Sequence, residues 1–322
     1  MHRVGIIVAL ALFAISPAPV SAQDYPSRPI HIVVGYPPGA GVDFTARLFA
    51  DWLQTAFHQP AIVENRAGAG GEIAAEYVSH ADPDGYTLFY AVGGDLEWTK
   101  FLSKKPVVDP LEDLTPIATV ISSVNCVAVN AASPFKTIDD LTAFTKKNPG
   151  KLTYGTAGTL SYYYLMGQAL NQQGVDMLHV PYKGNAPVLT ALLGREVDVA
   201  LTTLGSIKPY VASGKLRILA VMEPKRFAGA PEIPTIAESQ PQFRAPLSWF
   251  GFFGPAGVPQ PVVVKLNAEI ANALRSAKIG EKIKNLELNI FPTDISAIRP
   301  LIAESTRTFD QLITSMHIKA AD

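Results

Sequence analysis

The sequence has almost no cysteine: Cys126 is the only one in 322 residues. One thiol closes no intramolecular disulfide and forms no paired metal or redox motif. It sits in the strand-like run Asn125-Cys126-Val127, where a thiol acts as a small buried hydrophobe. Excess charge is lacking too. The 27 Lys and Arg nearly balance 28 Asp and Glu, for a net charge of −1. No basic field therefore draws nucleic acid or an anionic membrane surface. Catalytic signatures are also missing, with no G-x-S-x-G elbow and no H-E-x-x-H. His31, His58, His80, His179 and His317 are scattered, without paired ligand spacing, so neither a metal nor a cofactor is implied. An enzyme whose site assembles only in space stays open as a reading. The glycines at 39–41 and 68–71 complete no G-x-G-x-x-G, and no Gly-Lys-Ser/Thr follows them, so a nucleotide loop is excluded.

Long hydrophobic runs are confined to one place. Met1-His2-Arg3 is a short basic start, and Val4 to Ile15 is apolar. That length suits a signal-peptide core and falls short of the ~18 residues of a membrane span. Ser16-Pro17-Ala18-Pro19 interrupts it, and Val20-Ser21-Ala22 offers small residues to a signal peptidase. Cleavage after Ala22 and export to the periplasm are expected. The remaining chain, 48% apolar and 17% charged across the whole sequence, reads as globular and long enough for two domains.

Beyond Ala22, strand and helix signals alternate. Ile30 to Val34 is β-branched, a Pro/Gly loop comes next, and then apolar residues recur at helical spacing from Phe44 to Phe57. Ala61-Ile62-Val63, a Gly-rich turn at 66–71, a helix over 72–80 and a strand over 86–91 repeat the pattern. Such alternation predicts mostly parallel sheets covered on both faces. The run from Thr119 to Asn130 is β-rich and longer than the usual strand, suited to leaving one lobe and entering another. A second α/β stretch leads from the helix near 137–147 to the strand 218–221. Leu247 to Gly254 suits the return crossing, and helices over 259–277 and 295–318 close the chain. The expectation is an α/β chain of two Rossmann-like lobes with mixed, mostly parallel sheets. Lobe 1 is discontinuous over 23–123 and 246–322, and lobe 2 spans 124–245.

In open α/β sheets, ligands bind beyond the carboxyl ends of the strands. Three loops qualify. The first holds Tyr36, Pro38, Gly39, Ala40, Gly41, Val42 and Asp43. Its glycines allow close backbone approach, and the following helix start suits a carboxylate. The second holds Thr156, Ala157, Gly158, Thr159 and Ser161, whose hydroxyls either cap the next helix or bind a ligand oxygen. Tyr162, Tyr163 and Tyr164 come after it, about 100° apart on a helix, so at most two face a cleft. The third is Thr202-Thr203 after a strand-like run. Each loop also reads as an ordinary turn, and each tyrosine as packing.

Several segments together resemble one family. They are Tyr25-Pro26-Ser27-Arg28-Pro29-Ile30, Pro37 to Asp43, Val63-Glu64-Asn65-Arg66-Ala67-Gly68-Ala69-Gly70-Gly71, Pro83-Asp84-Gly85-Tyr86-Thr87-Leu88 and Val180-Pro181-Tyr182-Lys183-Gly184. Ser213-Gly214-Lys215-Leu216-Arg217 and Trp249 through Pro255-Ala256-Gly257 complete the match. The chain resembles the substrate-binding receptors of tripartite tricarboxylate transporters, the Bug family. The resemblance implies a type II periplasmic-binding-protein fold, a cleft that closes on a small carboxylate, a two-component membrane permease as partner and a monomeric state. It also implies that the loop at 36–43 holds one ligand carboxylate and that the loop at 156–161 holds the far end. Gly94 and Asp95 fall at a cleft-facing position, usually Ser or Thr where Asp95 stands. Leu160 replaces a usual Gly, Tyr164 a usual His and Thr202 a frequent Asp. The pocket is then more apolar and aromatic than citrate would want, so a dicarboxylate with an apolar body, such as a phthalate-type diacid, is expected. Asp95 argues the other way unless it is protonated, turned away or paired. A sensory receptor for the same ligands, and a periplasmic hydrolase on a similar scaffold, are the alternatives.

Overall fold

A computed structural model of the protein describes residues 25–99, 101, 108–158 and 161–315. The leader, Thr159 and Leu160 lie outside the described residues. The chain opens with β1 (Ile30–Val34), α1 (Gly41–Phe57), β2 (Ala61–Asn65), a single 3-10 turn (Ala69–Gly71), α2 (Glu72–Ser79), β3 (Thr87–Val92), α3 (Gly93–Thr99) and β4 (Leu114–Ser123). It continues through β5 (Asn125–Asn130), α4 (Ile138–Lys147), β6 (Leu152–Thr156), α5 (Tyr162–Gln172), β7 (Met177–Pro181) and α6 (Asn185–Gly194). Then come β8 (Val199–Thr203), α7 (Leu204–Ala212), β9 (Leu216–Val221) and α8 (Ile236–Ser239). The last elements are β10 (Trp249–Pro255), α9 (Gln260–Arg275), α10 (Ala277–Asn285), β11 (Leu288–Ile290) and α11 (Ile295–Ser315).

Two sheets organise these elements. The first runs β11-β4-β10-β3-β1-β2 and the second β7-β6-β8-β5-β9. Period-2 side-chain direction sorts each strand onto two cores. Ile30, Ile32 and Val34 of β1 pack under α1 and α9, while Val33 faces Ala74, Ala75 and Val78 of α2 on the other side. The second sheet is covered likewise, with Val127 and Val129 toward α4 and α5, and Cys126 and Ala128 toward α6 and α7. Cys126 is fully buried, and burial pushes its thiol pKa up, so it is a core side chain rather than a nucleophile. The result is a two-lobed α/β fold.

The β-rich run at 119–130 divides at Val124. Ser123 ends β4 in the first sheet and Asn125 begins β5 in the second. Backbone bonds tie this crossing: Ser123 N–H donates to Ser248 O at 2.9 Å, and Leu204 N–H to Val124 O at 2.8 Å. The sheets are mixed for a related reason. β1 pairs in parallel with β2 and β3, and β6 with β7 and β8, whereas the antiparallel ladders all contain β4, β5 or β10. Those are the strands on either side of the crossings. The lobes also share apolar packing: Trp98 of α3 and Phe309 and Ile313 of α11 join the cluster of Tyr162, Leu165 and Met166 of α5.

Candidate functional site

The β1–α1 loop is braced from below. Asp43 is buried and accepts from the Gly39 N–H at 2.9 Å, from the Arg47 guanidinium and from Asn65 Nδ2 at 2.8 Å. Burial works to raise its carboxyl, but these bonds outweigh it and hold the pKa below the usual value. Asn65 Nδ2 also donates to Tyr36 O at 2.9 Å. Asp43 and Asn65 thus fix the loop rather than face out of it. Gly39 has φ +84, and nothing stands within 4 Å of a Cβ built on Gly39 or Gly41. The loop backbone is open there, and no side chain caps α1 at Ala40, which leaves helix N–H groups for an anion.

The glycines at 68–71 serve packing. A Cβ on Gly35 would come within 2.5 Å of Gly71 Cα, so the 3-10 turn presses directly on the end of β1. Beside it, Tyr36, Gly70, Gly71, Glu72 and Leu96 line a hollow of about 10 Å³.

Asp95, in the first turn of α3, carries the contact between the lobes. It accepts the hydroxyl of Tyr36 and lies close enough to the backbone N–H of Tyr162, the first residue of α5 in the other lobe, to be stabilised by it. Burial raises its carboxyl; the two donors partly offset this, and its pKa stands at about 6. Burial and the adjacent Asp95 push the Tyr36 phenol well up, so it is a donor and not a phenolate. Gly94 is buried, with a Cβ there 3.6 Å from the Tyr162 ring.

From α5 the polar contacts continue into the second lobe. Tyr163 Oη donates to Asn125 Oδ1 at 2.9 Å, and Asn125 N–H donates to Glu223 Oε1 at 2.7 Å. Asn125 lies opposite Thr203 in the β5–β8 ladder. Thr203 Oγ1 meets Ser206 Oγ at 2.6 Å, and Thr202 Oγ1 is buried without a partner. Burial raises Glu223 to about 7.

The β6–α5 loop is held by its own hydroxyls. Gly158 O accepts from Thr156 Oγ1 at 3.1 Å and Ser161 Oγ at 2.7 Å, and Ser161 caps α5 by accepting from Tyr164 N–H. Gly158 takes φ +124 and Ala157 is half-buried. Thr156 Oγ1 also meets His179 Nε2 at 2.7 Å, and the Tyr164 ring lies 4.8 Å from the same imidazole. Burial lowers the pKa of His179. Thr156 and Tyr164 therefore sit on the α5 side of the second sheet, while Tyr36, Asp95 and the α5 N-terminus come together. No local pattern marks Asn65, Asn125 or Glu223 as site residues: each acts through a residue on a different element, at spacings that only the fold sets. A separate hollow of about 850 Å³ between β4, α9 and the start of α11 stands away from these loops. Asn267 and Arg299 there turn onto the carbonyls of Ile117 and Leu111.

The profile described as "Tripartite tricarboxylate transporter family receptor" matches residues 45–318. The chain belongs to that family. It is 37% identical over 266 residues to a UPF0065 protein of Bordetella bronchiseptica, covering 82% of this chain and 78% of that one. Two solved structures from Rhodopseudomonas palustris share its fold. Rpa4515 with adipate is 28% identical, with TM-score 0.84 over 92% of this chain and 100% of that one. MatC with bound malate is 28% identical, with TM-score 0.79 over 90% and 100%. Receptors of this family have the type II periplasmic-binding-protein fold, bind rather than transform their ligands, and work with the permease components of a tripartite system.

Proposed function

We propose that this receptor captures a small dicarboxylate between its lobes in the periplasm and delivers it to a two-component permease, acting as a monomer. The observation that carries this reading is that two helix starts border the Tyr36–Asp95 contact. One is the open, uncapped start of α1 behind Gly39 and Gly41. The other is the start of α5, reached from Tyr36 through Asp95. The α1 end offers open N–H groups to one carboxylate, and a desolvated carboxylate needs such donors; at α5 a second carboxylate would share donors with Ser161 and Asp95. Adipate and malate, on the two relatives, are both diacids. We assign lobe 1 to 23–123 and 246–322 and lobe 2 to 124–245, hinged at the crossing strands, so that ligand shifts the population toward closure through contacts from both lobes. The backbone of 38–42, with Ser161 and Thr203, supplies the remaining polar contacts. Aromatic contacts from Tyr36 and Tyr163 favour an apolar ligand body, including a phthalate-type ring.

The test is a thermal-shift screen followed by calorimetry on the exported protein, whose intact mass should place its first residue at Gln23. Malate, adipate, phthalate, citrate and amino acids form the panel. A diacid at ~100 times its Kd should stabilise the fold by about 2.7 kcal/mol. Tight citrate binding with no response to any diacid would sink the dicarboxylate reading. Ester or amide turnover without any binding response would sink the receptor reading.

A further inference from the structure

We propose that Asp95 makes ligand capture proton-linked: the cleft takes a dianion only with the Asp95 carboxyl protonated, so binding takes up about one proton. This rests on the dicarboxylate reading above. The position of the side chain motivates it. Asp95 accepts the Tyr36 hydroxyl from its own lobe and lies against the start of α5 in the other, where the Tyr162 N–H stabilises its charge. It therefore competes for the helix-terminal donor that a ligand carboxylate arriving at α5 would use. A ligand carboxylate there becomes a near neighbour of this one, and two carboxylates sharing a site do not both stay charged.

No cation among the described residues relieves this. α3 packs against α2, the 3-10 turn, β3, β10, α5 and α11. On α5, the phenols of Tyr162 and Tyr163 go to Pro246 O and Asn125, and both feel Asp95 and Glu223. On α2, Glu72 borders the hollow beside Tyr36, while Glu76 is exposed. On β3, Tyr90 donates to Thr45. β10 and the turn carry no charged side chain. On α11, Arg307 pairs with Glu304, Arg299 holds the carbonyls of Leu111 and Leu114, and Asp310 is exposed. Glu97 of α3 itself turns to Ser305. The groups acting on Asp95 are thus neutral donors or further acids, in keeping with a carboxyl already raised by burial to about 6. A dianion beside it raises it again. Above the free value the proton must be supplied from solution, so affinity falls as pH rises.

The experiment is calorimetry with malate and adipate above about pH 6.5, where both are dianions, in buffers of different ionisation enthalpy. The wild-type Kd should rise by up to about tenfold per pH unit, with uptake of about one proton. Asp95→Asn, with Asp95→Ser as a smaller second variant, should bind with a flat pH profile and take up no proton. Glu223→Gln should keep the wild-type slope. A flat wild-type profile overturns the proposal and leaves the dicarboxylate reading standing. Affinity that rises with pH overturns it by showing that capture releases a proton instead of taking one up. A slope that persists in Asp95→Asn and vanishes in Glu223→Gln moves the proton elsewhere and overturns it as well. If no diacid binds at any pH, the dicarboxylate reading and this proposal fall together.

Discussion

Tyr162, Tyr163 and Tyr164 are consecutive, yet they have three destinations. Helical rotation sends their side chains to the return segment at Pro246, to the crossing residue Asn125 and to His179 inside the second lobe. Their divergence was legible from the helix repeat; their partners were not. Acids at this scale also set a pH dependence of stability. Burial pushes Glu97 well above its usual value and Glu223 to about 7. For an acid raised in the folded state, the folded chain binds the proton that the unfolded chain has lost. Stability is then full below the unfolded pKa and declines as pH rises through the folded one. Thermal midpoints should therefore fall by several degrees between about pH 5 and pH 8, and Glu97→Gln should shrink the fall. A wild-type midpoint constant or rising over that range would contradict this assignment. Asp43, held low by Arg47 and its neighbours, works in the opposite sense only in acid, losing its contribution as pH drops through its depressed pKa.

Elements followed the periodicity where burial is one-sided, and departed from it where a polar residue intervenes. The helix expected over 259–277 is α9, and α10 follows as a separate helix because Ser276 adopts extended backbone and its Oγ accepts from Ile279 N–H. The long β run divides at Val124 because Asn125 bonds into the second lobe through Glu223. α3 had no signal in the sequence; a seven-residue helix wedged between β3 and α11 takes its stability from packing. Close packing of α5 on β6 yields a test. A Cβ at Gly167 would overlap the Tyr154 ring, which Gln168 Nε2 holds by its hydroxyl at 2.8 Å. Gly167→Ala should cost about 1–3 kcal/mol by overpacking, read from urea midpoints at unchanged m. A neutral or stabilising result would mean that the ring yields freely.

For the whole molecule, the described residues bring the lobes together at Asp95 on α5, at the apolar seat of Trp98 and Phe309, where Gln172 Nε2 also donates to Ser315 O, and where α7 meets the turn before β11. At the last, Gly205 lies against Leu286 O with no room for a side chain, and Lys208 pairs with Glu287. Lys208 is largely exposed, so the pair is worth about 0.2–1 kcal/mol. If it belongs to the closed arrangement, Lys208→Met should weaken ligand affinity by up to about fivefold at low salt, with the difference shrinking as salt rises. Equal affinities at low salt would assign the pair to both arrangements of the lobes.

The amino-acid order determined most strands and helices and the loops that end at strand carboxyl termini, because side-chain period and turn chemistry are local; the receptor family was legible only as a resemblance of whole segments. That order did not determine which groups the buried carboxyls meet. Asp95 stands 67 residues before Tyr162, and Asn125 stands 98 before Glu223. Only tertiary folding brings such pairs together and takes Asp95 and Glu223 out of water, which raises their affinity for protons. Scarcity of cysteine and of net charge excluded whole classes of function at the outset. The shortage of cations around Asp95 among the described residues, on which the proposed proton linkage rests, exists only in three dimensions.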